Sequence, residues 1–188
     1  MRLKYLNKRM TSNNFGDFDV IGHENGKYRI RFVDTGYEYS VDTSNLSKGN
    51  VYDPYKPSYY GIGYLGEMAG HAKGHPMLST WEKILERCYK NHFNYHLGLL
   101  CEEWKDFSKF CKDVEQLPFY DRRLAEGGKK WNLDKDVLGG GTYCKEHCMW
   151  IPQDMNVQVA GVYDMINMGF KIEYPDKETI IKYINEKY

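Results

Sequence analysis

Residues 131–156 read WNLDKDVLGGGTYCKEHCMWIPQDMN. Two short apolar segments, Trp131 to Leu133 and Cys148 to Ile151, flank a polar loop in which Gly139, Gly140 and Gly141 stand in a row. The second segment runs into a helix-compatible stretch, Gln153 to Val159. Short apolar runs bounded by turn residues read as strands, and a glycine run disfavours regular structure, so the spacing predicts strand, loop, strand, helix.

Working outward, residues 11–46 predict a small antiparallel β unit. Its strands are Phe18 to Ile21, Lys27 to Val33 and Tyr37 to Val41, joined at Glu24-Asn25-Gly26 and Asp34-Thr35-Gly36, which are spaced as hairpin turns. Tyr28, Ile30 and Phe32 alternate with Lys27, Arg29 and Arg31, so one face packs and the other carries positive charge. Three strands of this length suit an SH3-like barrel or an open meander. Residues 48–75 are rich in Gly, Pro and Tyr and read as a connecting arm. Its tyrosines, Tyr52, Tyr55, Tyr59, Tyr60 and Tyr64, either pin the arm to the domain or stack on bases.

A helix is expected over Leu78 to Lys90, with Ser79 or Thr80 as N-cap, Trp81, Ile84, Leu85 and Cys88 inward, and Glu82, Lys83, Glu86 and Arg87 solvated. A second helix is expected over Glu102 to Glu115, with Trp104, Phe107, Phe110, Cys111 and Val114 in the core. Residues 118–130 read as a polar connector that holds the densest basic cluster, Arg122, Arg123, Lys129 and Lys130. Beyond Gly161 come an amphipathic segment, a strand over Gly169 to Tyr174, and a helix from Asp176 to the end with Ile180, Ile181 and Ile184 inward.

Composition narrows the class. Equal numbers of basic and acidic residues, 26 of each, exclude attachment to DNA by bulk charge, so any basic face must be local. Five cysteines without a CxxC pair do not form a disulfide framework, which points to a reducing, cytoplasmic, intracellular setting. No apolar run approaches the roughly 20 residues of a membrane span, and the polar start lacks a signal-peptide core, so no membrane partner is expected.

The 131–156 stretch resembles the HNH (ββα-metal) nuclease proteins common in bacteriophage genomes. TSNNFGDFDVIG and RFVDTGYEYSV near the N-terminus resemble the module that precedes the nuclease segment in such proteins. The words W-x-x-I-x-x-R-C-Y and C-E-E-W-x-x-F-x-x-F resemble their middle, and the likeness extends over residues 11–160. It implies an α+β protein: a small antiparallel β (SH3-like) module over 1–50, the arm over 51–76, and over 77–188 a helical segment plus an HNH-like ββα-metal core with a closing strand and helix.

The family ends its first strand with an Asp-His pair, places an Asn near the end of the loop and a ligand on the helix. Asp134 matches the Asp and Asn156 the helical ligand, while Lys135 stands at the position of the His and His147 at that of the loop Asn. The resemblance implies a Mg²⁺ or Mn²⁺ ion at Asp134 and Asn156, with Asp136 as a further ligand or water-positioning group. Oxygen donors suit such hard ions. A lysine near its reference pKa of about 10.4 is protonated at neutral pH, which leaves His147 as substitute base and Lys135 as a phosphate contact or a depressed base. Asp134, Asp136 and His147 serve equally well as turn residues, and Asn156 as a helix-surface amide. Cys144 and Cys148 lack a second cysteine pair, which disfavours a structural zinc.

Two readings remain. One is a metal-dependent endonuclease or nickase on double-stranded DNA, gripped by Arg122, Arg123, Lys129, Lys130, Arg29 and Arg31, with a homodimer suited to cutting both strands. The other is a non-cleaving HNH-like protein that binds DNA or blocks a host or defence protein, favoured by Lys135 at the His position.

Overall fold

The computed structural model describes residues 3–90, 99–159 and 173–188. The chain is mixed α+β, with apolar side chains gathered in two clusters.

The first cluster lies in the N-terminal sheet. Strands β1 (Arg9–Thr11), β2 (Asp17–Glu24), β3 (Lys27–Phe32) and β4 (Glu38–Asp42) form one antiparallel meander in the order β1-β2-β3-β4. Tyr28, Ile30 and Phe32 on β3 are buried and alternate with exposed Lys27, Arg29 and Arg31, as a strand with one packed face requires. Phe18, Val20, Val41, Leu46 and Val51 complete this core. Two elements lie outside the sequence expectation: β1, three residues without apolar alternation, and helix α1 (Thr43–Ser47), started by the Asp42 side chain accepting from Asn45 N.

The second cluster is larger and aromatic. Helix α2 (Leu78–Tyr89) contributes Trp81, Ile84, Leu85 and Cys88. Its start differs from the expected Ser79 or Thr80 cap: Met77 precedes the first turn without a side-chain cap, fully buried, and its N–H donates to Nδ1 of His75 at 3.3 Å. The expected single helix over 102–115 is broken. A 3₁₀ turn, Glu102–Lys105, gives way to helix α3 (Phe107–Val114) because Oδ1 of Asp106 accepts from the N–H and the hydroxyl of Ser108, starting a new helix. The expected connector at 118–130 contains helix α4 (Tyr120–Glu126).

Strand β5 (Leu99–Leu100) pairs in parallel with β7 (Thr142–Tyr143), which lies inside the glycine loop. Strand β6 (Trp131–Asp134) pairs antiparallel with β8 (Met149–Pro152), with Asp134 opposite Met149. Residues 153–159 follow at once as helix α5. Helix α6 (Lys177–Lys187) closes the chain, capped by Asp176 on Thr179 N at 2.9 Å, with Ile180 and Ile184 buried and Ile181 packed against the core. Of the strand expected at 169–174, residues 169–172 lie outside the described residues, and Glu173 and Tyr174 are not in a strand.

The arm's tyrosines mostly pack within the protein. Tyr59 lies edge-on to Trp81 at 5.1 Å, Tyr55 neighbours Tyr37 and Tyr64, and Tyr52 meets Phe15 at 4.6 Å. Tyr60, 43% exposed, projects furthest. Among the described residues no helix is long and apolar enough to cross a membrane.

Candidate functional site

A cleft of about 880 Å³ opens between α2, α4, β6 and α5. The β6–β8 pair sets its floor, because Trp150 on β8 is buried there with its Nε1–H donated to the Val114 carbonyl at 3.1 Å. Asp134, Lys135, Asp136 and Asn156 all line it. Four basic side chains line it too: Lys83 and Arg87 from α2, Arg123 from α4, and Lys129.

Asp134 ends β6 and is 8% exposed. Its Oδ1 accepts from Asp136 N at 2.9 Å and Val137 N at 2.7 Å, which turns the chain out of the strand. Oδ2 receives no hydrogen bond from the described residues. Burial pushes this carboxyl above the usual carboxylate range, partly offset by the two backbone amides. One oxygen therefore shapes the turn of a residue that borders the cleft.

Lys135 is clamped. Its Nζ lies 2.6 Å from Oδ1 of Asp136, with side-chain exposures of 13% and 20%, and 5.6 Å from the centre of the Tyr143 ring. The Tyr143 hydroxyl in turn accepts from Arg87 at 3.2 Å, and burial pushes its pKa to about 12, so the phenol stays neutral.

His147 is elsewhere. None of the described residues lining the cleft is a histidine. The His147 ring packs on Gly140, where an added Cβ would collide with Cβ, Cγ and Nδ1 of the histidine. Its Nδ1 is buried without a hydrogen-bond partner among the described residues. The structure thus gathers Asp134, Lys135, Asp136 and Asn156, and leaves His147 under the glycine loop.

The basic residues expected to contact DNA divide the same way. Arg123 and Lys129 line the cleft, whereas Lys130 lines a separate groove with Trp131 and Tyr188. Arg122 is engaged internally: it donates to Glu126 at 3.1 Å and to the Tyr188 carbonyl at 2.9 Å, and lies 5.0 Å over the Trp131 ring. Arg29 and Arg31 both pair with Glu38, at 2.7 Å and 2.5 Å, which offsets one of the three positive charges on that strand face. The sequence places Lys83 and Arg87 on the solvated face of α2. They are exposed, yet their i, i+4 spacing puts them on one α2 face that borders the cleft, a signal present in the sequence.

The five cysteines are free thiols, and Cys148, completely buried, packs in the second core. Among the described residues no group of three or more His, Cys, Asp and Glu side chains converges as a metal cluster. Comparison with protein-family models, with curated proteins and with solved structures finds no match.

Proposed function

We propose that the protein is an HNH-type DNA endonuclease or nickase that lays double-stranded DNA in this cleft and cleaves it with a Mg²⁺ or Mn²⁺ ion at Asp134 and Asn156. The observation that carries the reading is that this carboxylate and this amide line one cleft with Lys83, Arg87, Arg123 and Lys129. Further support comes from the chain order β6, loop, β8, α5, which is that of a ββα-metal core.

The residues fit the ion. A buried carboxylate with one oxygen outside the hydrogen bonds of its turn is a hard donor whose charge a divalent cation stabilises, and Asn156 adds an amide oxygen. Two protein donors are few, but Mg²⁺ keeps several waters and takes phosphate oxygens. When bound, the ion neutralises phosphate charge and acidifies a water. Lys135, ion-paired with Asp136, meets the phosphate charge from the same wall. With no histidine on the described cleft wall, Asp136 is the remaining carboxylate there to take the proton from water. The N-terminal sheet serves as an SH3-like module that positions DNA, and two copies of the chain would address both strands.

A second reading is favoured by one observation: Lys135 is locked to Asp136 and the histidine lies under Gly140, so the catalytic base of the family has no counterpart in the cleft. In that reading the cleft holds DNA, or a host or defence protein, without cutting. Plasmid relaxation and digestion of phage genomic DNA with Mg²⁺ or Mn²⁺, against EDTA, decide between them. Metal-dependent nicking that Asp134→Ala abolishes supports the enzyme. Absence of nicking at any metal, or nicking unchanged by Asp134→Ala, rejects it.

A further inference from the structure

No carboxylate of the described fold pairs with the charge of Arg123. The residue is 6% exposed, its Nε is buried without a hydrogen-bond partner, and its guanidinium forms no ion pair with any described residue. Other arginines differ: Arg9 pairs with Asp19, Arg29 and Arg31 with Glu38, and Arg122 with Glu126. Burying an unpaired charge costs folding free energy, and arginine stays protonated rather than escaping the cost by neutralising. Such an arrangement persists where a ligand completes it.

The surroundings fix the guanidinium. Phe119, in the left-handed region at φ 68°, starts α4 with its ring stacked on Trp131 at 5.5 Å, and its carbonyl accepts from Arg123 N at 2.9 Å. One turn into the helix, the Arg123 guanidinium lies 4.7 Å over the Trp150 ring, itself anchored on Val114. Gly128 lies close against it, where an added Cβ would lie 2.8 Å from Nη2. Held against an indole face and a glycine, the planar fork borders the cleft lined by Lys83 and Lys129. A fixed guanidinium fork matches two oxygens of a phosphate, whereas a flexible exposed lysine supplies only a point charge.

We infer that Arg123 is a preformed subsite for one phosphate group of a nucleic-acid strand lying in the cleft beside Asp134 and Asn156. The inference rests on the nucleic-acid reading of the cleft for its ligand, but not on cleavage. It assigns the basic residues different tasks: Arg123 fixes the strand's register by taking a single phosphate, while Lys83 and Lys129 add unspecific attraction. The phosphate belongs either to an internal diester or to a strand end, and the chemistry at the fork is the same.

The test uses the full chain in EDTA, so that binding is read apart from cleavage. Inorganic phosphate is titrated while tryptophan emission is followed, since Trp150 lies beneath the guanidinium. A short duplex is then titrated in three forms: with 5′-phosphates, with 5′-hydroxyls, and with one internal phosphate replaced by a neutral methylphosphonate. Wild type is expected to respond to phosphate and Arg123→Met to lose the response. Arg123→Met is expected to weaken duplex binding by roughly tenfold or more, as removal of charge-assisted hydrogen bonds does. Arg123→Lys keeps the charge without the fork and falls between, which reads the subsite even if Arg123→Met does not fold. Equal loss from the 5′-hydroxyl duplex assigns a strand end; equal loss from a methylphosphonate assigns an internal diester. Arg123→Met or Arg123→Lys binding phosphate and duplex as wild type does, or wild type binding neither, overturns the subsite. Phosphate binding without any nicking would sink the endonuclease reading and leave this one standing.

Discussion

The ammonium of Lys135 lies 2.6 Å from Oδ1 of Asp136, and both side chains are more than three-quarters shielded from solvent. The pair is adjacent in sequence and lies on the cleft wall, just after the strand end that holds Asp134. The ion pair fixes the ammonium on the cleft wall, where it is placed to contact a phosphate oxygen. Lys135→Met is therefore expected to weaken duplex binding several-fold and to reduce the salt slope by about one. Titrations at three salt concentrations measure this, and an unchanged slope would place the ammonium away from the phosphates.

The buried carboxylate of Asp134 costs stability. Burial raises its folded-state pKa above the unfolded value, so its carboxylate form costs stability. The penalty grows as pH rises from the unfolded value through the raised folded one, and is absent in acid. Asparagine keeps an Oδ1 to accept from Asp136 N and Val137 N without the charge. Asp134→Asn should stabilise the protein by about 1 kcal/mol at pH 7, the size typical of relieving a functional site. Urea unfolding at pH 7 and in acid checks that the gain disappears on acidification, and metal-dependent nicking should be lost.

The glycine loop depends on His147 lying beneath it. Gly140→Ala should destabilise the protein by about 1–3 kcal/mol through overpacking against the imidazole. His147→Gly in the same chain should recover part of that loss, because it removes Cβ, Cγ and Nδ1, the three atoms the added methyl would meet. Urea midpoints of the two single variants and the double variant form the cycle. Strictly additive effects would show that the loop does not rest on the ring.

Trp150 supports both the core and the cleft. Trp150→Phe keeps an aromatic face under Arg123 but removes the indole N–H donated to the Val114 carbonyl, which retains only the longer bond from Leu117 N at 3.3 Å. A cost of about 0.5–1.5 kcal/mol in unfolding is expected, the net contribution of one hydrogen bond. A variant as stable as wild type would mean the bond contributes nothing.

The thiols should be chemically quiet in the folded state. Burial pushes Cys88 and Cys101 to about 11 and Cys111 to about 12, so little thiolate is present near pH 8. Iodoacetamide should label the native protein far more slowly than the urea-unfolded chain, with half-buried Cys101 modified ahead of Cys88, Cys111 and Cys148. Rapid labelling of Cys148 in native protein would contradict its burial.

Much of this was readable from local pattern. The alternation in β3, the inward faces of α2 and α3, the Asp176 cap and the strand–loop–strand–helix of 131–159 follow from residue order, because burial of one face imposes its period on the sequence. Helix boundaries slipped where side chains competed for backbone groups, at Asp106 above all, since such competition leaves no periodic trace. Helix α4 and strand β7 were missed because both are short and are held by partners distant in sequence.

For the site, the sequence by itself determined that Asp134 ends a strand, that Asn156 follows on a helix, and that Lys135 stands between them and any histidine chemistry. Only the tertiary structure decided which charges share the cleft. Lys83 and Arg87 on α2 come to it together with Arg123 on α4 because both helices pack on a common aromatic core, while Arg122, one residue earlier, turns to Glu126 and Trp131. His147 lies under Gly140 because the missing Cβ leaves room for a ring there. Neighbouring positions on a helix or loop point in different directions, and the direction that matters is set by packing against residues that no local pattern identifies.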